Sequence, residues 1–302
     1  MEYVACNLCG SRDSKVLYPS TLSDGLDRGN VERFRCTSSG YGKHDTIVKC
    51  QNCGLVYVNP HREASAILHD YEEVVDELYL EEREGRVLTF RRNLRPLEEL
   101  MPPERGRRLL DVGCHIGVFL EIAQERGWEA WGVEPSHWAV REAHSRGLHV
   151  IEGTLDDLHV ADEFFDVITM WDVIEHLPDP LRALRKSYRL LKRGGIICIH
   201  TINIESPLAR LMGRHWPWLM EMHLYYFSPR TLTAMLRKVG FTVVKMINQG
   251  RFLRLGYLAT RIEPYSRFLA GGMSKLVTIL GLKDKAVPIN LGDLFTTFAR
   301  KH

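Results

Sequence analysis

From Arg107 onward, short apolar runs alternate with stretches in which apolar residues recur every three or four positions. This is the pattern of a parallel sheet whose strands are joined by crossover helices. It predicts strands at Leu109–Val112, Ala130–Val133, Val150–Ile151, Val167–Trp171, Ile196–His200, Phe241–Ile247 and Leu294–Ala299. Helices are expected at Gly117–Arg126, Trp138–Arg146, Leu181–Leu191 and Pro229–Val239. Gly127, Gly147, Gly194 and Gly240 stand where helix C-terminal caps fall.

The first part of the chain has a different texture. Residues 1–60 are rich in Cys, Gly, Ser and Asp, with short extended pieces at Thr46–Lys49 and Leu55–Val58. Residues 61–104 carry charged helical patterns, Ala64–Tyr71 and Val87–Leu100, until Pro102–Pro103 stops them. Three units are therefore expected: a 1–60 cysteine-rich module, a 61–104 helical linker and a 105–302 α/β domain. Two stretches fit no strand–helix unit. Residues 206–224 are rich in Trp, Met and Pro, and residues 250–290 read as apolar, basic helices. Both are placed to cap the C-terminal edge of the sheet, where open α/β folds bind ligands. For the second, simple packing or a dimer contact is an equal expectation.

The charge balance narrows the partners. Forty basic residues against 38 acidic ones leave a net +2, which gives no electrostatic reason for a nucleic-acid partner. The N-terminus has neither the basic start nor the apolar run of a signal peptide. Leu253–Leu282, the most apolar stretch, is interrupted by Arg254, Arg261, Glu263, Pro264, Arg267 and Lys275, too often for a spanning helix. A cytoplasmic protein without a transmembrane segment is expected. Peripheral membrane contact, and the choice between monomer and homodimer, stay open.

Seven cysteines, an odd number, argue against a disulfide framework. Four form two CxxC knuckles, Cys6–Cys9 and Cys50–Cys53, each followed by a glycine that permits the tight turn. Four thiolates complete a closed tetrahedral site, so a structural zinc ion is expected, a redox CxxC being the lesser reading. Cys36 and His44, in the loop between the knuckles, are spare ligand candidates; a buried thiol and a surface imidazole are the preferred readings.

The run Leu109-Leu110-Asp111-Val112-Gly113-Cys114-His115-Ile116-Gly117 is an apolar strand, an acid at its end, a glycine turn and a helix start. Glu134 ends the next strand, close to the ~20-residue offset at which a carboxylate meets ribose hydroxyls in Rossmann folds. A dinucleotide fingerprint would place glycines at 115 and 118, where this chain has His and Val. S-adenosylmethionine (SAM) has no pyrophosphate to cradle, and its ammonium and sulfonium suit an acid beside the turn.

Two further stretches point the same way. Asp166-Val167-Ile168-Thr169-Met170-Trp171-Asp172-Val173-Ile174-Glu175-His176-Leu177 resembles the fourth motif of class I SAM-dependent methyltransferases. Leu190-Leu191-Lys192-Arg193-Gly194-Gly195 resembles their next hallmark. The chain thus resembles the methyltransferases related to ubiquinone-biosynthesis O-methyltransferases, and the zinc-ribbon methyltransferases of bacterial sugar and natural-product modification. The resemblance spans roughly residues 105–248, the final strand and, in outline, the ribbon. It implies a Rossmann-like α/β fold: a seven-stranded, mostly parallel sheet, the last strand antiparallel, with helices on both faces. It also implies that Asp111, Gly113, Cys114 and Gly117 line the methionine end of SAM and that Glu134 holds the ribose. Thr154 and Leu155 would lie beside adenine, with Trp171 and Asp172 flanking the sulfonium. His115 replaces a glycine common in that group and would crowd the turn; Thr154 stands where many relatives have Asp.

Methyl transfer is an in-line displacement that needs near-attack geometry and a place for the acceptor's proton. His223 is the first choice of base, His176 the second; His200 ends a strand nearby, and Tyr226 would orient the acceptor. Trp216 and Trp218 suit a lid over a sugar or aromatic ring, while Arg210 and Arg214 are either phosphate ligands or a solvated face. The expected partner is a small molecule: a sugar, glycan or natural-product intermediate. Three other readings compete. An NAD(P)-dependent oxidoreductase would need the three-glycine turn. An RNA methyltransferase would carry a different fourth motif and a basic-aromatic stripe on the ribbon. A binding module with a degenerate pocket would lack the intact acids and glycines.

Overall fold

The computed structural model describes residues 1–22 and 29–302. Near the N-terminus, β1 (Ser14–Tyr18), β2 (Ile47–Cys50) and β3 (Val56–Val58) form an antiparallel meander, consistent with the extended pieces read from the sequence. Three helices follow: α1 (Ala64–Glu72), α2 (Glu77–Glu81) and α3 (Arg83–Leu100).

The larger sheet is laid down by alternation. Strands β4 (Arg108–Val112), β5 (Glu129–Glu134), β6 (His149–Glu152), β7 (Phe165–Trp171) and β8 (Leu191–Ile202) pair in parallel. Helices α4 (Val118–Glu125), α5 (His137–Ser145) and α6 (Pro180–Leu190) run between them. Then come α7 (Pro207–Met212), the short β9 (Tyr225–Tyr226), α8 (Pro229–Val239) and β10 (Thr242–Asn248). Next are β11 (Arg251–Arg254), α9 (Leu255–Ile262), α10 (Arg267–Ile279), β12 (Ala286–Ile289) and β13 (Leu294–Arg300). The seven-stranded order is β10-β13-β8-β7-β4-β5-β6, with the last strand, β13, antiparallel to both neighbours. This is the expected fold class.

The order has a consequence for binding. After β4 the chain winds outward through β5 and β6, then returns to place β7 on the other side of β4. The connections leaving β4 and β7 diverge, and a crevice opens at their C-terminal ends. The central strands are apolar on both faces because helices cover both: Leu109, Leu110, Val167, Ile168, Ile197 and Phe298 are all buried. Helix α6 buries Leu181, Leu184 and Leu190 along one stripe, after Asp179 caps its first turn by accepting from Arg182 N–H at 3.0 Å. Truncating Leu184 to Ala would cost about 2–5 kcal/mol.

Three expectations change. Gly194 caps no helix: α6 ends at Leu190, and Gly194 lies within β8, its N–H donating to the Lys301 carbonyl at 2.8 Å. Strand β8 is longer than the apolar run Ile196–His200, because Leu191 already pairs with Phe165 across a register shift. Residues 250–290 are not helical throughout, since β11 and β12 pair as a two-stranded sheet flanking α9 and α10. More than thirty residues separate the two strands, so no local pattern announces their pairing.

The N-terminal sheet is joined to the rest through β9. Val56 pairs with Tyr226 and Tyr57 with Tyr225, and Cys6, Leu8, Leu55 and Tyr57 share a core with Met222, Leu224 and Phe227. Among the described residues, no helix is long and apolar enough to cross a membrane.

Candidate active site

The crevice is a cavity of about 470 Å³. Its first end is built by the β4 turn. Gly113 has φ +67°, and a Cβ there would stand 2.7 Å from a Val173 methyl, so only glycine lets the chain turn between the two motifs. His115 also adopts a left-handed conformation, φ +51°, and does not crowd the turn. Its ring leaves the turn and stacks on Tyr79, centroids 3.8 Å apart, with Trp138 edge-on.

Two carboxylates flank this turn. Glu134 accepts from the main-chain N–H of His115 and of Ser136, one on each oxygen and both at 2.9 Å. The second acid therefore holds the first acid's turn in shape, and each of its oxygens keeps a lone pair for a ligand hydroxyl. Burial pushes its pKa up to about 6, against these two N–H donors. Asp111 is buried and accepts from the Thr169 hydroxyl at 2.6 Å. Burial raises it to about 8, with Glu134 adding to the rise. Two adjacent, dehydrated acids form a place for a cation.

The remaining cofactor candidates are distributed as follows. Gly113, Cys114, Thr154, Leu155, Trp171 and Asp172 line the same cavity. Gly117 does not; a Cβ there would meet Leu148 at 2.3 Å, so it serves helix packing. The Thr154 hydroxyl is committed to capping the next turn, donating to Asp157 at 2.7 Å. Arg86, which the sequence reading missed, also lines the cavity and lies 3.6 Å from the Tyr79 ring centroid. It sits in a charged helix with nothing local to mark it.

The other end is assembled from distant segments. His176, in the 3-10 turn after β7, sets Nδ1 2.9 Å from the Met222 carbonyl and 3.0 Å from the Tyr71 hydroxyl. His223 sets Nδ1 2.7 Å from the Trp218 carbonyl. A carbonyl only accepts, so both Nδ1 atoms carry hydrogen and both Nε2 atoms are bare. Burial depresses both pKa values, that of His223 to about 3, so both rings are neutral. Glu175 was not expected. It is fully buried and lines the cavity, and its carboxylate is poorly satisfied, with the Thr201 hydroxyl as a weak hydrogen-bonding neighbour. Burial, then Asp172, pushes its pKa up to about 8. One ligand atom from each of Glu175, His176 and His223 lies within 4.8 Å of the others, a spacing that can relay a proton or hold a cation. Asp172 faces the Arg251 guanidinium at 3.2 Å.

Other acceptor candidates lie elsewhere. Tyr226 is fully buried in β9, with its hydroxyl 3.5 Å from the Met220 carbonyl, and does not line the cavity. Trp216 is core, donating to Asp293 at 3.1 Å; Trp218 donates to the same carboxylate but does line the cavity. His200 is held by Thr296 at 2.9 Å, outside the main cavity. Arg210 and Arg214 are exposed.

The two CxxC knuckles converge. One sulfur from each of Cys6, Cys9, Cys50 and Cys53 lies within 4.8 Å of the others, with Cys6–Cys53 at 3.4 Å and Cys9–Cys50 at 3.5 Å. All four are free thiols, and this donor set fits a tetrahedral zinc ion. The spare candidates are not there, and their expected environments are reversed. His44 is buried, with Nδ1 on the Asp45 carbonyl, whereas the Cys36 thiol is open to the cavity. The described part of the loop, from residue 29 on, contacts the larger domain, with Phe34 edge-on to Tyr71 and Gly42 N–H donating to the Leu219 carbonyl at 2.9 Å.

The methyltransferase-domain family model matches residues 79–246, more than half of the chain. The ubiquinone biosynthesis O-methyltransferase of Cereibacter sphaeroides is 33% identical over 155 residues, 47% of this chain and 63% of that one. Its Alkalilimnicola ehrlichii namesake is 37% identical over 123 residues, 37% and 49% of the two chains. The chain thus spans about half to just under two thirds of the length of these relatives. A SAM dependent methyltransferase from Archaeoglobus fulgidus shares the fold, with TM-score 0.50 and 24% identity over 75% of this chain and 100% of that one. The strand order, the glycine turn with its two acids and the family match together make this chain a member of the class I SAM-dependent methyltransferase family.

Proposed function

We propose that this chain moves a methyl group from SAM to a hydroxyl, or an activated carbon, of a small acceptor such as a sugar, glycan precursor or natural-product intermediate. The observation that carries this reading is one cavity with two unlike ends: buried acids at the glycine turn, and bare imidazole nitrogens beside a poorly satisfied carboxylate opposite. SAM supplies the methyl group on a sulfonium. Glu134 receives its ribose hydroxyls, Asp111 and the Gly113–Cys114 turn its ammonium, and Arg86 offers a cation to its carboxylate. Leu155 packs beside adenine, with Trp171 and Asp172 on the sulfonium side.

At the other end, His223 and His176 present Nε2 lone pairs to the acceptor, and Glu175 takes up the released proton. Its pKa near 8 makes its ionised fraction, a minority at neutral pH, the stronger base of the three groups. The relatives' printed names, O-methyltransferases, support oxygen as the acceptor atom. Trp218 and Arg251, in cation–π contact with 5.1 Å from guanidinium to ring centre, offer a flat apolar face and a charge suited to a sugar-like ring. The four-cysteine site would hold zinc structurally, since all four positions are taken by protein.

The test is incubation of the full chain with methyl-labelled SAM and an acceptor panel that begins with nucleotide sugars. Label should pass to at least one acceptor and not with Glu175→Gln. Transfer to RNA alone, or binding of NAD in place of SAM, would overturn the reading.

A further inference from the structure

We propose a second metal site, for a zinc ion, formed by Cys36, Asp76 and His115 at the wall of the cavity. It is separate from the four-cysteine knuckles and does not depend on SAM being the cofactor.

Three segments far apart in sequence meet there. Cys36 comes from the loop between the knuckles, Asp76 from the residue preceding α2, and His115 from the turn after β4. One ligand atom of each lies within 4.8 Å of the other two, the spacing of donors around a single ion. Thiolate, carboxylate and imidazole are a donor set that zinc takes readily.

His115 supplies the independent observation. It is 7% exposed, and neither ring nitrogen has a hydrogen-bond partner. A buried imidazole normally satisfies at least one nitrogen, and leaving both unpaired is costly. Its ring is held in place from the side, stacked on Tyr79 and edge-on to Trp138, so orientation is fixed by contacts that use no nitrogen. An ion satisfies the nitrogen that protein does not.

The other ligands are also prepared. Asp76 is fully buried and is oriented by Thr37, whose main-chain N–H donates to it at 3.0 Å and whose hydroxyl donates to its second oxygen. Such outer hydrogen bonds are what aim metal-binding carboxylates. The Cys36 thiol, unlike Cys114 and Cys198, is not packed in the core but faces the cavity. Uptake of the ion displaces the thiol proton: the S–H bond breaks, an S–metal bond forms, and H⁺ leaves to solvent.

The nearby Arg86 guanidinium is within electrostatic reach of Cys36 and Asp76 but lies across the Tyr79 ring from His115. Its carbon and the His115 ring each lie within 4 Å of the Tyr79 centroid, so they occupy opposite faces of that ring. Two anionic ligands balance the ion's charge. Three protein donors leave a fourth position toward the cavity, for water or a group of a bound molecule.

The test uses the full chain with its knuckle zinc in place, titrated with cobalt(II) and assayed in parallel for zinc by elemental analysis after equilibration with zinc. The wild type should take up one ion beyond the knuckle ion, with a thiolate-to-cobalt charge-transfer band. Cys36→Ser should lose both the band and the extra ion while keeping the knuckle zinc and an unchanged circular dichroism spectrum. His115→Gln, which changes a different segment, should weaken uptake at least tenfold. No ion beyond the knuckle site in the wild type, or a band that survives Cys36→Ser, would overturn the proposal.

Discussion

The two ends of the cavity are made in different ways. At the proposed cofactor end, Asp111, Gly113, His115 and Glu134 lie within 24 residues, and main-chain hydrogen bonds at the turn orient Glu134. At the proposed acceptor end, Tyr71, Glu175, His176, Trp218, His223 and Arg251 come from segments up to 180 residues apart, held by side-chain hydrogen bonds across a tertiary fold. A locally encoded end is set by its own turn and the strands that flank it. One assembled from caps is free to diverge, which is how one fold serves many acceptors.

The N-terminal sheet belongs to the second kind. Val58 N–H donates to the Leu224 carbonyl and Leu224 N–H to the Glu175 carbonyl, both at 2.8 Å, so the knuckle sheet braces the segments that carry His223 and Glu175. The largest effect should therefore come from the knuckles. Metal binding to a structural four-cysteine site contributes on the order of 10 kcal/mol. Cys50→Ser or chelation should abolish turnover and lower the melting temperature sharply, while SAM binding measured before unfolding weakens less than about tenfold. Equal loss at both ends would erase the distinction.

Next comes His223→Ala, which should lower kcat by about 10²–10⁴-fold, the range for a proton-handling group, with SAM affinity nearly unchanged by calorimetry. Glu134→Ala should do the reverse. It should weaken SAM about a hundredfold, the scale of two lost charge-assisted hydrogen bonds. Circular dichroism should be intact. If His223→Ala weakens SAM as strongly as Glu134→Ala does, the two ends are one.

The smallest effect is in pH. Burial lifts Asp111 from an ordinary aspartate value to about 8, which favours its protonated form at neutral pH. A raised acid stabilises the folded chain fully below about pH 4, and that contribution is lost as pH rises through 8. A cationic ligand needs the ionised form. SAM affinity should therefore rise up to about tenfold per pH unit below 8 and flatten above it, with proton release on binding. Calorimetry in buffers of different ionisation enthalpy measures both; an affinity independent of pH, with no proton released, would show Asp111 already ionised.

What could be read in the sequence follows the same division. The strands and helices around the glycine turn were legible to within a residue or two because periodicity and caps are local: Pro229–Val239 coincides with α8, and Gly240 sits at its left-handed cap. The acids Asp111 and Glu134 were legible because each stands at or one residue before the end of an apolar strand. Glu175 was passed over, though adjacent to His176, because its significance lies in burial with its carboxylate poorly satisfied, which spacing does not encode. Tyr226 was misplaced because pairing with Val56, 170 residues upstream, turns it into the core. Arg86 and Cys36 come to the cavity only when the helix and the knuckle loop fold over it.

The most direct measurement is a crystal structure of the chain soaked with S-adenosylhomocysteine. The account predicts the ribose hydroxyls on Glu134 and the amino acid end between Asp111 and Arg86, with adenine beside Leu155. An empty crevice, or the nucleoside bound away from both acids, would contradict it.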